Sequence, residues 1–393
     1  MWRQQKFDII VVGGGPAGST AARYASMNGV KVLVLEKDRD IGMPVRCGEA
    51  VSEEGLKNFM DPDPRWIKST ISKIRLVSPS DYVVDFDMKA RGFILDRRIF
   101  DYDLAQMAAM EGATIVTKAY VNGLLFDGDC VAGVKGKYLS EPFELRAKIV
   151  IGADGVESRV GRWAGLQTQV KMKDMLSCVQ KTVTGIEVDE RRFDFYLSKK
   201  WAPGGYIWVF PKGKNRANIG LGVSGKYCRE KSAYRYLDEF LQHCYPNHSV
   251  LTTVAGGVPC DKTLKTIVTN GLILVGDSAH MVNPMTGGGI IPAMKAGLLA
   301  GETAAKAIKN KDYGEKYLSR YSREWHKIGG KNHERYYRLK NTITELSDEE
   351  LDNIAKAVLK IPEDERTITK IFLKAVMKKP KLIYDVTKVF AGI

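Results

Sequence analysis

The sequence predicts an α/β fold: a nucleotide-binding domain interrupted by an antiparallel β-sheet domain and followed by a helical region. Three observations lead there. Phe7-Asp-Ile-Ile-Val-Val-Gly13-Gly-Gly15-Pro-Ala17-Gly18 joins a short β-branched run to a glycine-rich turn and a helical pattern. A second strand, Gly-Asp, glycine-rich loop and helix recur from Gly271 to Ile308. Between them, from about Asp174 to Gly257, the pattern changes to strands with long turns.

The first run is apolar, short and bounded by glycine, so it reads as a buried parallel strand. Helical spacing from Pro16 to about Asn28 follows, with proline where a first turn tolerates it. Gly13 permits the tight turn, Gly15 lets the backbone approach a pyrophosphate, and Gly18 lets helix and strand pack closely. The pyrophosphate then meets free N–H groups at the helix N-terminus. Lys31-Val-Leu-Val-Leu-Glu36 is the second strand, ending on an acid suited to a ribose hydroxyl pair.

The loop Pro44-Val-Arg46-Cys47-Gly48-Glu49 is of the kind that carries function on a rigid scaffold. Residues 70–87 read as strands broken at Ser78-Pro79-Ser80-Asp81. Leu95, Phe100, Leu104, Met107 and Ala108 then form a helical stripe with Asp96 as N-cap and Arg97 in the first turn. Arg97 serves either a solvated face or a phosphate or ring edge at the nucleotide site. Thr114–Thr117, Val121–Phe126 and Cys130–Lys137 read as strands. Another apolar strand ends in Gly152-Ala153-Asp154-Gly155, an acid at the carboxyl end of a parallel strand.

Tyr206, Trp208 and Phe210 alternate, so they share one face of a strand, as core or as the wall of a pocket for a flat or greasy ligand. Gly276-Asp277 and Gly287-Gly288-Gly289-Ile290 form the second loop, which must meet the Gly13 loop at one nucleotide. From Tyr313 the chain is mostly helical and basic, with a capping box at Ser347–Glu350. The stretch 371–390 pairs apolar residues with lysines, as a helix packed on the parent domain or one touching a membrane interface.

Composition narrows the function classes. A chain of 393 residues suggests two or three structural units. The six cysteines are scattered without a CxxC pair, and the five histidines form no ligand cluster with them. No metal site is expected, and a reducing cytoplasm is. The first strand begins too early for a signal peptide to be expected. The net charge of +14 comes without a nucleic-acid-binding module, so an acidic substrate or an anionic membrane surface is the favoured partner over nucleic acid.

Taken together, Gly13–Gly18, Arg97, Asp154-Gly155 and Gly276-Asp277 resemble the FAD enzymes of the 4-hydroxybenzoate hydroxylase type. Their fold is a Rossmann-like FAD-binding domain interrupted by an antiparallel substrate sheet. On this likeness residues 1–70, 92–170 and 262–312 would bind FAD, 71–91 and 171–261 substrate, and 313–393 would form the helical region. Within that group the chain is similar to the archaeal geranylgeranyl reductases that act on digeranylgeranylglycerophospholipids. The carrying blocks are Pro44–Glu49, Gly205-Tyr206-Ile-Trp208-Val-Phe210-Pro211-Lys212-Gly213 and Asn283–Gly289.

The resemblance implies an enzyme that saturates isoprenoid double bonds of lipids with an anionic head group, by hydride from reduced flavin N5 plus a proton. It implies FAD contacts from Gly13, Gly15, Ala17, Gly18, Glu36, Arg46, Cys47, Gly48, Arg97, Asp154, Gly155, Gly276, Asp277 and Gly287–Ile290. It implies substrate contacts from Tyr206, Trp208, Phe210, Pro211 and Lys212. Cys47 and Tyr206 are the candidate proton donors. Arg46 and Lys212 would face the head group, or else be plain surface charge. The electron donor stays open among NADPH, ferredoxin and other carriers. Peripheral contact with the cytoplasmic membrane face is expected. Two other readings share the fold: a flavin monooxygenase or halogenase, and a non-catalytic prenyl-binding protein.

Overall fold

A computed structural model of the chain describes residues 2–377 and 379–390. Its organising element is a six-stranded sheet ordered Val268–Thr269, Leu272–Leu274, Ile149–Gly152, Ile9–Val12, Val32–Leu35, Thr114–Val116. All but the first pair are parallel. Ile9–Val12, Val32–Leu35 and Ile149–Gly152 are buried throughout, as expected for parallel strands covered on both faces.

Ile9–Val12 lies between Val32–Leu35 on one side and Ile149–Gly152 on the other. The strand order reverses there, and ligands bind at the carboxyl ends of such a switch point. The turns after Val12, Gly152 and Leu274 therefore open on the same edge. The helix Pro16–Met27 packs against the long helix Ile290–Asn310. Only small residues allow this approach: a Cβ on Gly297 would sit 2.5 Å from the carbonyl oxygen of Ala17. That packing carries the Gly287–Gly289 loop to the nucleotide turn.

The second sheet has eight strands, ordered Ser249–Pro259, Met175–Thr184, Arg216–Ser224, Tyr206–Pro211, Arg192–Tyr196, Ile67–Val77, Val83–Leu95, Ala50–Ser52. It takes in more chain than the segments 71–91 and 171–261 expected from sequence. Ala50–Ser52 pairs with Gly92–Ile94, and the long hairpin runs from Ile67 to Leu95. A helix that the strand-only reading of 174–257 lacked, Ala233–Cys244, covers one face. Its Leu237, Phe240 and Leu241 pack on Val179, Ile207, Val209, Ile219 and Leu221. Ala119–Asp127, Cys130–Tyr138 and Glu141–Arg146 make a separate three-stranded antiparallel sheet.

Asp96 does stand at the N-cap of the helix Arg97–Met110, but its side chain makes no cap bond. The carboxylate is drawn instead to Arg98 at 2.7 and 2.9 Å. The C-terminal region is helical, and Ser347 and Glu350 form the capping box. Its last stretch is two helices, Ile368–Val376 and Pro380–Val389, separated at Pro380. Val376, Leu382, Val386, Val389 and Phe390 cluster with Leu339, so the apolar face packs on the protein.

These helices close over the second sheet. The Asp352 carboxylate accepts from the hydroxyls of Ser78 (2.5 Å) and Ser80 (2.6 Å) and from the Ser80 N–H (3.0 Å). Asp348 accepts from the Lys199 N–H, and Arg366 donates to the Asp85 carbonyl. The helical region is thus a roof tied to the hairpin at its turn. Among the described residues no helix is long and apolar enough to cross a membrane.

Candidate active site

One cavity of about 1070 Å³ runs from the nucleotide turn, across the open face of the eight-stranded sheet, to the underside of the roof. Gly15, Ala17, Arg46, Cys47, Gly48, Arg97, Gly155, Asp277, Gly287, Gly288, Gly289 and Ile290 line it, with Tyr206, Trp208 and Phe210. Gly13, Gly18, Glu36, Asp154, Gly276, Pro211 and Lys212 are not part of that lining.

The nucleotide turn fits a dinucleotide. Gly13 has φ +107°, and a Cβ there would lie 2.3 Å from the Ala153 carbonyl oxygen. A Cβ on Gly15, by contrast, would meet no protein atom within 4 Å. The backbone is therefore bare toward the cavity where a pyrophosphate would approach the helix end. Glu36 holds the turn: its carboxylate accepts from the N–H groups of Gly14 (2.8 Å) and Asp38 (2.9 Å). A carboxylate has about four lone-pair sites, so acceptor capacity remains for a ribose.

Two further acids keep acceptor capacity that the protein leaves unused, and of these Asp277 faces the cavity. Asp154 Oδ2 accepts from the Val160 N–H, while Oδ1 is buried with no partner. Asp277 lines the cavity without a side-chain hydrogen bond among the described residues. Burial pushes its carboxyl up to about 6, with Arg97 working in the opposite direction. A ligand donor at Asp277 would relieve that burden. These features fit a flavin dinucleotide held by the Gly13–Gly18 turn, Asp277 and the Gly287–Gly289 loop.

The loop 46–50 owes its shape to Glu49, which the sequence reading did not single out. Glu49 is 1% exposed and has φ +70°. Its carboxylate accepts from Lys212 Nζ (2.5 Å), Asn218 Nδ2 (2.6 Å) and the Arg97 N–H (2.9 Å). One buried side chain thus joins the loop, the substrate sheet and the start of the helix Arg97–Met110. It also corrects the expectation for Lys212, whose amine is committed to Glu49 and not to a head group. Arg97 is paired with Asp101 at 2.5 and 2.6 Å. Burial opposes the Arg97 charge, but Asp101 more than offsets it and keeps the guanidinium protonated.

Cys47 sits on this loop. Burial pushes its thiol up, Arg97 only partly countering. Sγ accepts from the Glu49 N–H at 3.2 Å. A relay fixes the loop to the aromatic strand: Gln180 donates to the Cys47 carbonyl (2.9 Å) and accepts from Trp208 Nε1 (2.9 Å). Gln180, 6% exposed, is another residue that sequence did not reveal; a buried amide at a strand's mid-point was its only signal.

Tyr206, Trp208 and Phe210 do share a face, with neighbouring ring centroids 6.0 and 6.3 Å apart. Phe195 from the next strand stands edge-on to Tyr206 at 5.6 Å. Tyr206 donates its hydroxyl proton to the Thr286 carbonyl, and burial holds the phenol neutral. Arg46 is exposed at the cavity wall beside Gly256.

Two outcomes follow. Glu49→Gln lowers unfolding stability by about 3 kcal/mol because Lys212 loses its buried counter-ion. Adding Lys212→Met recovers part of the loss, and additive losses in denaturant titrations would refute the coupling. For Asp277 the folded pKa lies above the unfolded one. The folded state binds a proton that the unfolded chain releases, so stability falls as pH rises from about 4 through 6. In cofactor-free protein Asp277→Asn gains roughly 3 kcal/mol over the parent at pH 7, vanishing below about pH 4. A pH-independent difference in thermal melts would contradict this.

Comparison with known proteins agrees with this geometry. The geranylgeranyl reductase catalytic domain family matches residues 174–258, and an NAD(P)-binding Rossmann-like domain matches 11–70. A digeranylgeranylglycerophospholipid reductase of Methanocella arvoryzae is 42% identical over 97% of this chain and 98% of its own. One from Methanosarcina acetivorans is 38% identical over 98% and 96%. A crystal structure of a geranylgeranyl bacteriochlorophyll reductase-like protein from Thermoplasma acidophilum superposes with a TM-score of 0.91 at 35% identity, covering 98% of this chain and all of that one. The flavin-dependent brominase Bmp2, at TM-score 0.71 and 18% identity over 96% of this chain, shares the fold alone. With its identity to these relatives running nearly end to end, the chain belongs to the digeranylgeranylglycerophospholipid reductase family.

Proposed function

We propose that this protein is an FAD-dependent oxidoreductase that saturates isoprenoid double bonds in geranylgeranyl chains of membrane lipid precursors. The observation that carries the reading is the cavity. It joins a bare nucleotide turn to an aromatic face and then to an apolar roof, with a neutral thiol between. The relatives' names supply the substrate class.

The chemistry sets what the residues must do. An isolated trisubstituted alkene is unpolarised, so hydride addition needs a proton on the neighbouring carbon as positive charge builds on the tertiary one. Bound FAD supplies the hydride in its reduced form. The Gly13–Gly18 turn, Asp277 and Gly287–Gly289 would hold it. The π faces of Tyr206, Trp208 and Phe195 stabilise a developing cation. The roof keeps water out, which protects that cation from capture. Cys47 is the proton donor in this reading. Its thiol is held neutral, and its S–H has no acceptor among the described residues, whereas the Tyr206 hydroxyl is committed to Thr286.

The electrons come from an external reductant, a nicotinamide or a protein carrier. The protein meets its substrate at the cytoplasmic membrane face, to which the excess of basic residues draws it. Anionic liposomes therefore retain the protein at low salt and release it at high salt; no retention at low salt would end that part of the reading.

The enzyme assay is anaerobic. Dithionite-reduced protein given a geranylgeranylated glycerophospholipid reoxidises while the lipid gains mass in two-dalton steps. Cys47→Ala lowers kcat by about 100-fold or more with substrate binding kept, as loss of a general acid does. Tyr206→Phe changes kcat by less than about tenfold. A flavin that stays reduced until air is admitted, or a Cys47→Ala variant at full rate, would refute the scheme.

A further inference from the structure

Three residues in register carry a contact that spans two inter-strand steps of the eight-stranded sheet. Trp208 on Tyr206–Pro211 pairs with Gly220 on Arg216–Ser224, and Gly220 pairs with Gln180 on Met175–Thr184. Neighbouring strands lie about 4.8 Å apart, so the backbones of Trp208 and Gln180 are about 10 Å from one another. Their side chains meet because the residue between them is glycine. A Cβ on Gly220 would fall 2.4 Å from Trp208 Cζ2 and 2.7 Å from Cε2, so the indole lies across bare backbone. Gly48 makes the same allowance in the loop: a Cβ there would be 3.0 Å from Phe210 Cε2 and 3.5 Å from Trp208 Nε1.

The Gln180 amide fits between its partners in one orientation. An indole N–H donates and never accepts, so Trp208 Nε1 takes Gln180 Oε1 as its acceptor, at 2.9 Å. Nε2 is then turned to the Cys47 carbonyl, which accepts and never donates, at 2.9 Å. Gln180 is 6% exposed and lines the cavity together with Cys47, Gly48 and Trp208. Among the described residues the Cys47 carbonyl accepts from no other side chain. That bond matters because the next residue is Gly48. Glycine lets a peptide plane turn at little steric cost, and the direction of the thiol is set by the backbone that would turn. Gln180 stops that rotation from the sheet side, while the Glu49 N–H holds Sγ at 3.2 Å from within the loop.

We propose that Gln180 is a positioning residue for proton delivery: by clamping the Cys47 carbonyl to the Trp208 indole, it fixes the thiol against the aromatic wall on which the alkene lies. The inference rests on the reductase reading with Cys47 as proton donor, and it assigns the residue that aims that donor. The amide itself gives up no proton. It acts through Cys47, where a displacement of about 1 Å costs about 100-fold in rate.

The test uses the flavin-loaded enzyme under anaerobic conditions with a geranylgeranylated glycerophospholipid. Gln180→Leu removes both hydrogen bonds. Its kcat falls at least about tenfold while KM stays within about twofold, because the donor loses its alignment and the apolar wall is kept. The solvent isotope effect on kcat rises, since proton transfer slows relative to the other steps. In a Cys47→Ala background the same change has no further effect on kcat.

Gln180→Glu gives a second readout within one folded protein. A carboxylate accepts at both oxygens and repels the Cys47 carbonyl, whereas a protonated carboxyl donates to it and still accepts from Trp208. Burial favours the protonated form of the introduced acid, so kcat of this variant recovers as pH falls, on a limb that the parent lacks. Glu49, Arg97 and Asp101 act on Cys47, and Arg46, Cys178, Tyr206 and Asp277 share the lining. All seven are common to both proteins, so the parent profile is the baseline. Parental kcat in Gln180→Leu, an equal loss in the Cys47→Ala background, or a Gln180→Glu profile parallel to the parent's would overturn the inference and leave the reductase reading intact. A Cys47→Ala enzyme at full rate would overturn the donor assignment, and this inference with it.

Discussion

A carboxylate sealed from water holds the active site together. Glu49 gathers an ammonium, a side-chain amide and a backbone N–H from three separate elements. Burying that charge is costly unless each donor is in place, so the loop, the sheet and the helix after it are forced into one arrangement. Cys47 two residues away inherits that fixed position, and the Gln180 bridge repeats the constraint from the sheet side. The reacting groups are thereby placed by polar contacts beneath an apolar surface, which leaves that surface free to take a hydrocarbon chain.

The two sheets divide the work. The parallel sheet supplies turns whose backbone faces a polar ligand, because its strand order reverses at Ile9–Val12. The antiparallel sheet supplies alternation: Ile207 and Val209 face the helix Ala233–Cys244, while Tyr206, Trp208 and Phe210 face the cavity. A period of two therefore yields a core and a wall from one strand. The C-terminal helices complete the wall from a third direction, held by Asp352 on the hairpin turn.

The nucleotide half of this was legible in the sequence because its determinants are local. Gly13, Gly15 and Gly18 declare a turn, and the alternation at 206–210 declares a face. The helix Ala233–Cys244 had a readable signal, Ala233, Tyr236, Leu237, Phe240 and Leu241 at helical spacing after the cap Ser232, which the surrounding strands obscured. Glu49 and Lys212 were opaque for a different reason. They are 163 positions apart, and nothing local distinguishes a lysine bound for a buried carboxylate from one facing a ligand. The role of the tail was hidden likewise, since an amphipathic helix states that it has an apolar side without stating what will cover it.

The close packing of Pro16–Met27 on Ile290–Asn310 bears on how the protein matures. The turn that would receive the nucleotide leaves the ribosome long before its opposite wall, the Gly287–Gly289 loop, which is fixed by a helix that ends at Asn310. Until that helix is made, a nascent chain carries half a cradle. Cofactor capture is consequently a late event, coupled to closure of the discontinuous domain, and a truncated chain that lacks the long helix is left with an exposed seam of small residues where its partner should lie.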